Sequence, residues 1–240
     1  MFEKSRDYPT AYIRDDSDDS LIVAIRWVLQ HAQANGVTPL LYAPAKQSIS
    51  YREPIRAFAD RFPVMTPRIR YKNDWRGGPV LAVWVDDKML GEIGDNPRTT
   101  ALCAVQWGDK PLAWVAAAGA VNLDPTTGGT TAPLPSIDPI VRQGLIQLGQ
   151  AVNHSNALTG SMDKADAVGF FRLLVDNRLP IEPDALYAHA LAEGWPERGA
   201  ARLREMAVQV AKGGRPQGWN QLRWRAEVVD DWRQAAANEE

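Results

Sequence analysis

The stretch Gly77-Gly78-Pro79-Val80-Leu81-Ala82-Val83-Trp84-Val85-Asp86-Asp87 decides the fold class. Its six apolar residues are too few for a core helix, and glycine and proline launch them, so the run reads as a buried strand. Two carboxylates stop it. Strands of parallel α/β sheets carry their chemistry at that end, where backbone pairing ceases and the next loop is exposed.

Working outward, the first half alternates short strands with helices. Thr10–Ile13 reads as a strand and Asp15–Ser20 as a polar turn. Leu21–Asn35 reads as a helix with Ile22, Ile25, Leu29 and Ala32 on its apolar face, capped by Ser20 and stopped by Gly36. Pro39–Ala43 and Val64–Thr66 are further strands, and Glu53–Arg61 is a helix with Pro54 in its first turn. After the central strand, Lys88–Ile93 predicts a short helix and Thr100–Trp107 another strand. Strands separated by helices predict βαβ units, right-handed connections and a mostly parallel sheet. The fold expected for residues 1–123 is a Rossmann-like, three-layer α/β domain.

Between residues 124 and 139 the pattern collapses into Pro125, Gly128, Gly129, Pro133 and Pro135 among threonines, which reads as a linker or long loop. Residues 140–240 are helical in period. The expected helices are Ile140–Asn153, Lys164–Val175 capped by Asp163, Pro183–Glu193, Arg198–Lys212 and Trp219–Ala237. No constant-period repeat is visible, which argues against a solenoid.

Composition narrows the functional classes. A formal net charge of -2 commits the chain to neither nucleic acid nor anionic membrane, so any such contact must be local. The lone Cys103 sits in an apolar segment and reads as a small buried hydrophobe. The charged first ten residues do not form a signal-peptide core, and the apolar stretches are too short to span a bilayer. A soluble, cytoplasmic protein is expected.

If the first strand runs parallel to Val80–Val85, Asp15 and Asp16 leave the sheet on the same edge as Asp86 and Asp87, with Asp109 after the next strand. Carboxylates gathered at close range call for a cation, and Mg²⁺ held there could position water or a phosphate ester, with Lys46 neutralising developing charge. The competing explanation is capping, because aspartate suits strand ends and helix N-termini.

The strand, turn, helix, strand order with Asp86-Asp87 after the apolar strand resembles the skeleton of P-loop ATPases over the first half of the chain. In that family the first turn reads GxxxxGK[ST] and cradles phosphates. Here it reads Asp15-Asp16-Ser17-Asp18-Asp19, whose carboxylates repel a triphosphate. ATP binding of the Walker type is therefore not expected. His31, His154 and His189 lack zinc-site spacing, and no GxSxG elbow accompanies Ser155 or Ser161.

Of nine tryptophans, Trp84, Trp107 and Trp114 fall in or beside apolar segments and read as core. The C-terminal third interleaves Trp219 and Trp224 with Arg198, Arg202, Arg204, Lys212, Arg215, Arg223 and Arg225. Such a surface could grip phosphates and stack bases, or anchor a protein partner; the same residues also serve as a solvated helix face. The sequence thus favours a non-catalytic binding or regulatory module contacting another macromolecule through these helices. Its rival is a Mg²⁺-dependent phosphoryl-transfer or nuclease-like enzyme.

Overall fold

A computed structural model describes residues 7–68, 74–108, 111–126, 128–220, 223–225 and 227–238. The chain divides into two units, Met1–Pro133 and Leu134–Glu240. In the first, β1 (Thr10–Arg14), β2 (Leu40–Tyr42), β3 (Val64–Met65), β4 (Gly78–Val83), β5 (Thr99–Gln106) and β6 (Val121–Asn122) form one sheet ordered β3-β2-β4-β5-β1-β6. Every strand pair is parallel.

The connections run both ways across the sheet. α1 (Asp18–Asn35) and α2 (Glu53–Ala59) serve the steps towards β3, whereas α3 (Asp87–Gly94) and α4 (Ala113–Ala117) serve the steps towards β6. Right-handed crossovers in opposite directions put the two helix pairs on opposite faces. Ala11, Ile13, Leu41, Ala43, Leu81, Val83, Cys103 and Val105 accordingly share one core with Leu21, Ala24 and Val28 of α1 and Ile55 and Phe58 of α2. Alternate strand residues face the other layer. There α3 and α4 pack so closely that a Cβ on Gly94 would lie 2.8 Å from the Trp114 ring.

Burial on both faces explains why β4 is an unbroken apolar run. It also fixes the state of Cys103, whose thiol is wholly enclosed and pushed far up by burial. Native protein should therefore resist thiol alkylation at mildly alkaline pH and react once denatured; labelling at equal rates in both states would contradict this burial.

Local chemistry moved several predicted boundaries. α1 begins earlier than expected because Ser17, rather than Ser20, is the cap, its side chain accepting from the Ser20 N–H. Its buried stripe is Leu21, Ala24, Val28 and Ala32; of the predicted face Ala32 is buried, Ile25 and Leu29 pack at the margin of the core, and Ile22 is exposed. Beyond Asn122 the chain is no free linker. Thr131 bridges Val121 in antiparallel sense, the Asn122 N–H donates to the Thr130 carbonyl, and the Asp124 side chain accepts from the Thr126 N–H. The proline and glycine run makes a turn that folds back onto the first unit as far as Pro133.

The second unit is helical: α5 (Pro139–Ala151), α6 (Ser161–Asp176), α7 (Pro183–Ala192), α8 (Glu197–Ala211) and α9 (Val228–Ala237). α5 packs on α6, α7 and α9, and α8 on α6 and α7. Phe170, Tyr187, Trp195 and Trp232 fill this interior. Glycines admit the rings, since a Cβ on Gly144 would come within 2.9 Å of both Phe170 and Trp232. Gly160, and not Asp163, precedes α6; Asp163 instead accepts the Asn153 N–H at 3.1 Å. Among the described residues of the predicted segment Trp219–Ala237, the helix begins at Val228.

Candidate functional site

In doubly wound sheets the ligand crevice opens at the carboxyl edge, where connections from neighbouring strands part company. Here β2 leads outward to β3 while its neighbour β4 leads back to β5. The loops after β1, β2, β4 and β5 meet on that edge.

Trp84 lies directly after β4, its N–H donating to the Val105 carbonyl at 2.8 Å. Its φ of 57° is left-handed, a conformation costing a bulky residue about 1–2 kcal/mol. In this pose its indole Nε1 donates to Asp15 Oδ2 at 2.9 Å. Trp107, just after β5, donates to the same oxygen at 3.3 Å, and the two indoles stack at 5.7 Å with 25° between their planes. Asp15 follows β1, with its N–H held by the Gln106 carbonyl.

The other Asp15 oxygen lies 3.2 Å from Arg52, whose Nε donates to Asp18 at 2.8 Å. Only 4% of the Asp15 side chain is exposed: the two indole N–H groups satisfy Oδ2, while Oδ1 is buried without a hydrogen-bond partner among the described residues and faces the Arg52 charge. The hydrogen bond to Asp18 raises the Arg52 pKa above its ordinary value; burial opposes this, and the charges of Asp15 and Asp18 add to it.

Tyr51 completes the arrangement. It ends the 3₁₀ turn Lys46–Tyr51 after β2, and its ring lies 6.4 Å from Trp84. Tyr51 is 64% exposed and Trp107 is 62% exposed, while Trp84 between them is 8% exposed. Two exposed aromatic rings from distant loops thus flank one buried, strained tryptophan.

The predicted carboxylates share the edge but not a common centre. Asp16 pairs with Arg14, Asp86 caps α3 by accepting the Met89 N–H at 2.8 Å, and Asp87 accepts the Trp114 N–H at 2.7 Å. Among the described residues no group of three or more His, Cys, Asp or Glu could hold a metal ion. The physical reason is competition: helix N-termini and arginines satisfy these charges locally. Asp109 lies outside the described residues. Lys46 is exposed at the start of its 3₁₀ turn, with no ion pair among the described residues.

The C-terminal surface also divides. Trp195 and Trp232 are core, and Trp224 donates to the Asp166 carbonyl at 2.8 Å with its ring against Gly169. Trp219 is half-buried, its carbonyl accepting from Arg172. Arg204 pairs with Asp184, Arg223 with Asp166 and Arg225 with Asp231. Burial pushes the Asp166 carboxyl up, and the Arg223 charge opposes that shift. Arg198, Arg202, Lys212 and Arg215 are exposed, with no ion pair among the described residues.

The three histidines each meet a backbone carbonyl: His31 that of Trp27, His154 that of Gly149, His189 that of Pro135. Sequence reasoning missed Tyr51 and Arg52 altogether and placed Trp107 in the core. The available signal was position, since Trp84 and Trp107 both stand immediately beyond a strand, on the edge where parallel sheets bind ligands.

A family model described as a domain of unknown function, DUF1889, matches residues 137–233, within the second unit. No curated protein and no solved structure matches the chain. No described helix is long and apolar enough to cross a membrane.

Proposed function

We propose that this protein is a non-catalytic binding module whose ligand docks on the aromatic shelf of Tyr51, Trp84 and Trp107 at the carboxyl edge of the sheet. One observation carries the reading: two largely exposed rings, far apart in sequence, converge on Trp84 beside the β2/β4 divergence. Large aromatics left in water are a poor use of apolar area unless something covers them. The left-handed Trp84 adds a second reason, because strain of this kind accumulates where function requires a particular pose. The neighbouring carboxylates are engaged with arginines and amides, which favours recognition over catalysis. A reducing cytoplasmic setting suits the lone buried thiol.

Indole ¹⁵N–¹H spectra offer the test. Trp84 and Trp107 donate to a carboxylate, so among the nine tryptophans of the chain their two signals should be separable from the other seven. In a screen of flat and cationic small molecules, binders should shift those two signals and lose their effect in Trp107→Ala and Tyr51→Ala. Shifts that survive both substitutions, or a screen that leaves both signals unmoved, would remove the shelf as the site.

The exposed cations of the second unit support a further reading. Arg198 and Arg202 stand one helical turn apart on α8, and Lys212 and Arg215 follow its end. Such a surface suits an acidic protein or nucleic-acid partner by charge, with binding weakened by salt. Affinity for an acidic partner that is unchanged in Arg198→Ala/Arg202→Ala would exclude it.

A further inference from the structure

Resting on the shelf reading, we infer that the ligand is an organic ammonium cation, of the alkylated type carried by choline or by a trimethylated lysine side chain. The first argument is the direction of the indole N–H groups. Both Nε1 donors, of Trp84 and Trp107, are spent on one oxygen of the buried Asp15 carboxylate. They have nothing left to donate to a ligand edge, so the shelf offers ring faces. An N–H donating to an anion pushes electron density into its ring, and the face of an indole is where cations are attracted.

The second argument is charge. The edge segments 14–19, 44–52, 84–88 and 106–108 carry Asp15, Asp16, Asp18, Asp19, Asp86 and Asp87 against Arg14, Lys46, Arg52 and Lys88, a net charge of two negative. Arg14 and Arg52 are already paired within that set. The N-terminus of α1, the usual seat of an anion, is filled by the Ser17 cap with Asp18 and Asp19 in its first turn. A phosphate-bearing ligand finds repulsion here, and a cation finds attraction.

The third argument is accessibility. Trp107 and Tyr51 are each more than half exposed, so both present ring surface to solvent beside Trp84, with Trp107 stacked on it. A quaternary trimethylammonium head group has no hydrogen-bond donor to satisfy. Face contact within about 6 Å of a ring centroid is the whole of its requirement.

Titration with choline, with 3,3-dimethylbutan-1-ol as its uncharged isostere, and with adenosine separates the possibilities, read on the Trp84 and Trp107 indole signals. Choline should bind about tenfold more tightly than the isostere, and Trp107→Ala should abolish the response. Trp107→Phe, which keeps a face but loses the N–H to Asp15, should weaken binding without abolishing it. Since Trp107 is exposed, both variants should fold. A peptide bearing trimethyllysine, set against its unmethylated form, distinguishes a protein-borne head group from a free one, and preferential binding of either cation supports the inference. If adenosine or the isostere binds as well as choline, the shelf stands and the cation inference is overturned. If neither choline nor the trimethyllysine peptide binds at millimolar concentration, the cation inference is overturned, while the shelf itself falls only if the wider screen also leaves both indole signals unmoved.

Discussion

Trp84→Ala should cost about 3–5 kcal/mol of stability, the range for truncating a large buried aromatic. The loss combines several effects. The indole is 8% exposed, stacks on Trp107 and donates to a carboxylate that is itself almost wholly buried. Removing it opens a cavity at the edge of the α1-side core and leaves Asp15 one donor short. Trp84→Gly gives the sharper comparison. Glycine accepts a φ of 57° freely and alanine does not, so the glycine variant should exceed the alanine variant in stability by about 1 kcal/mol, reversing their usual order. Urea unfolding of the two would decide the matter, and an alanine variant at least as stable as the glycine one would mean that the backbone there relaxes.

Gly78→Ala should also be severe, destabilising by about 3 kcal/mol or more. Its φ of 147° belongs to glycine alone, and a Cβ would stand 2.6 Å from the Thr38 carbonyl oxygen. That oxygen cannot easily retreat, because it accepts the Trp75 indole N–H at 2.9 Å. Gly36→Ala supplies the contrast. Its φ of 63° is left-handed too, but nothing lies within 4 Å of the added atom, so only the backbone penalty of about 1 kcal/mol applies. Similar melting behaviour in the two variants would show that the crowding at Gly78 is not real.

The α/β character of the first unit was legible because its strongest signal is local. A covered parallel strand must be apolar on both faces, and Val80–Val85 is. The helices following turns or prolines were legible for a similar reason, since a cap or a proline at the first turn acts within a few residues. Register was harder. The predicted face of α1 shares Ala32 with the buried stripe, but Leu21, Ala24 and Val28 take the centre in place of Ile22, Ile25 and Leu29, because the contact with the sheet and not the cap sets which stripe turns inward.

The site was legible only in outline. That carboxylates would line the carboxyl edge followed from strand direction alone, and parallel pairing puts Asp15, Asp16, Asp86 and Asp87 there. What each would bind did not follow. Asp15 meets two indoles and an arginine from loops 37 to 92 residues away, and no spacing in the sequence encodes that meeting. Trp107 read as core because an indole beside an apolar strand normally is. Its exposure depends on the path of the chain beyond the strand end.

By itself, then, the order of residues determined which segments form strands and helices, where the proline-rich break falls, and which edge of the sheet carries the acids. These are outcomes of short-range periodicity, capping and backbone stereochemistry. Only the tertiary structure decided that one of those acids is buried beneath two tryptophans, that the remainder are satisfied by nearby amides and arginines, and that the C-terminal indoles are largely packing. Pairing between distant residues is set by how the layers close on one another, and burial and charge compensation have no sequence separation to betray them.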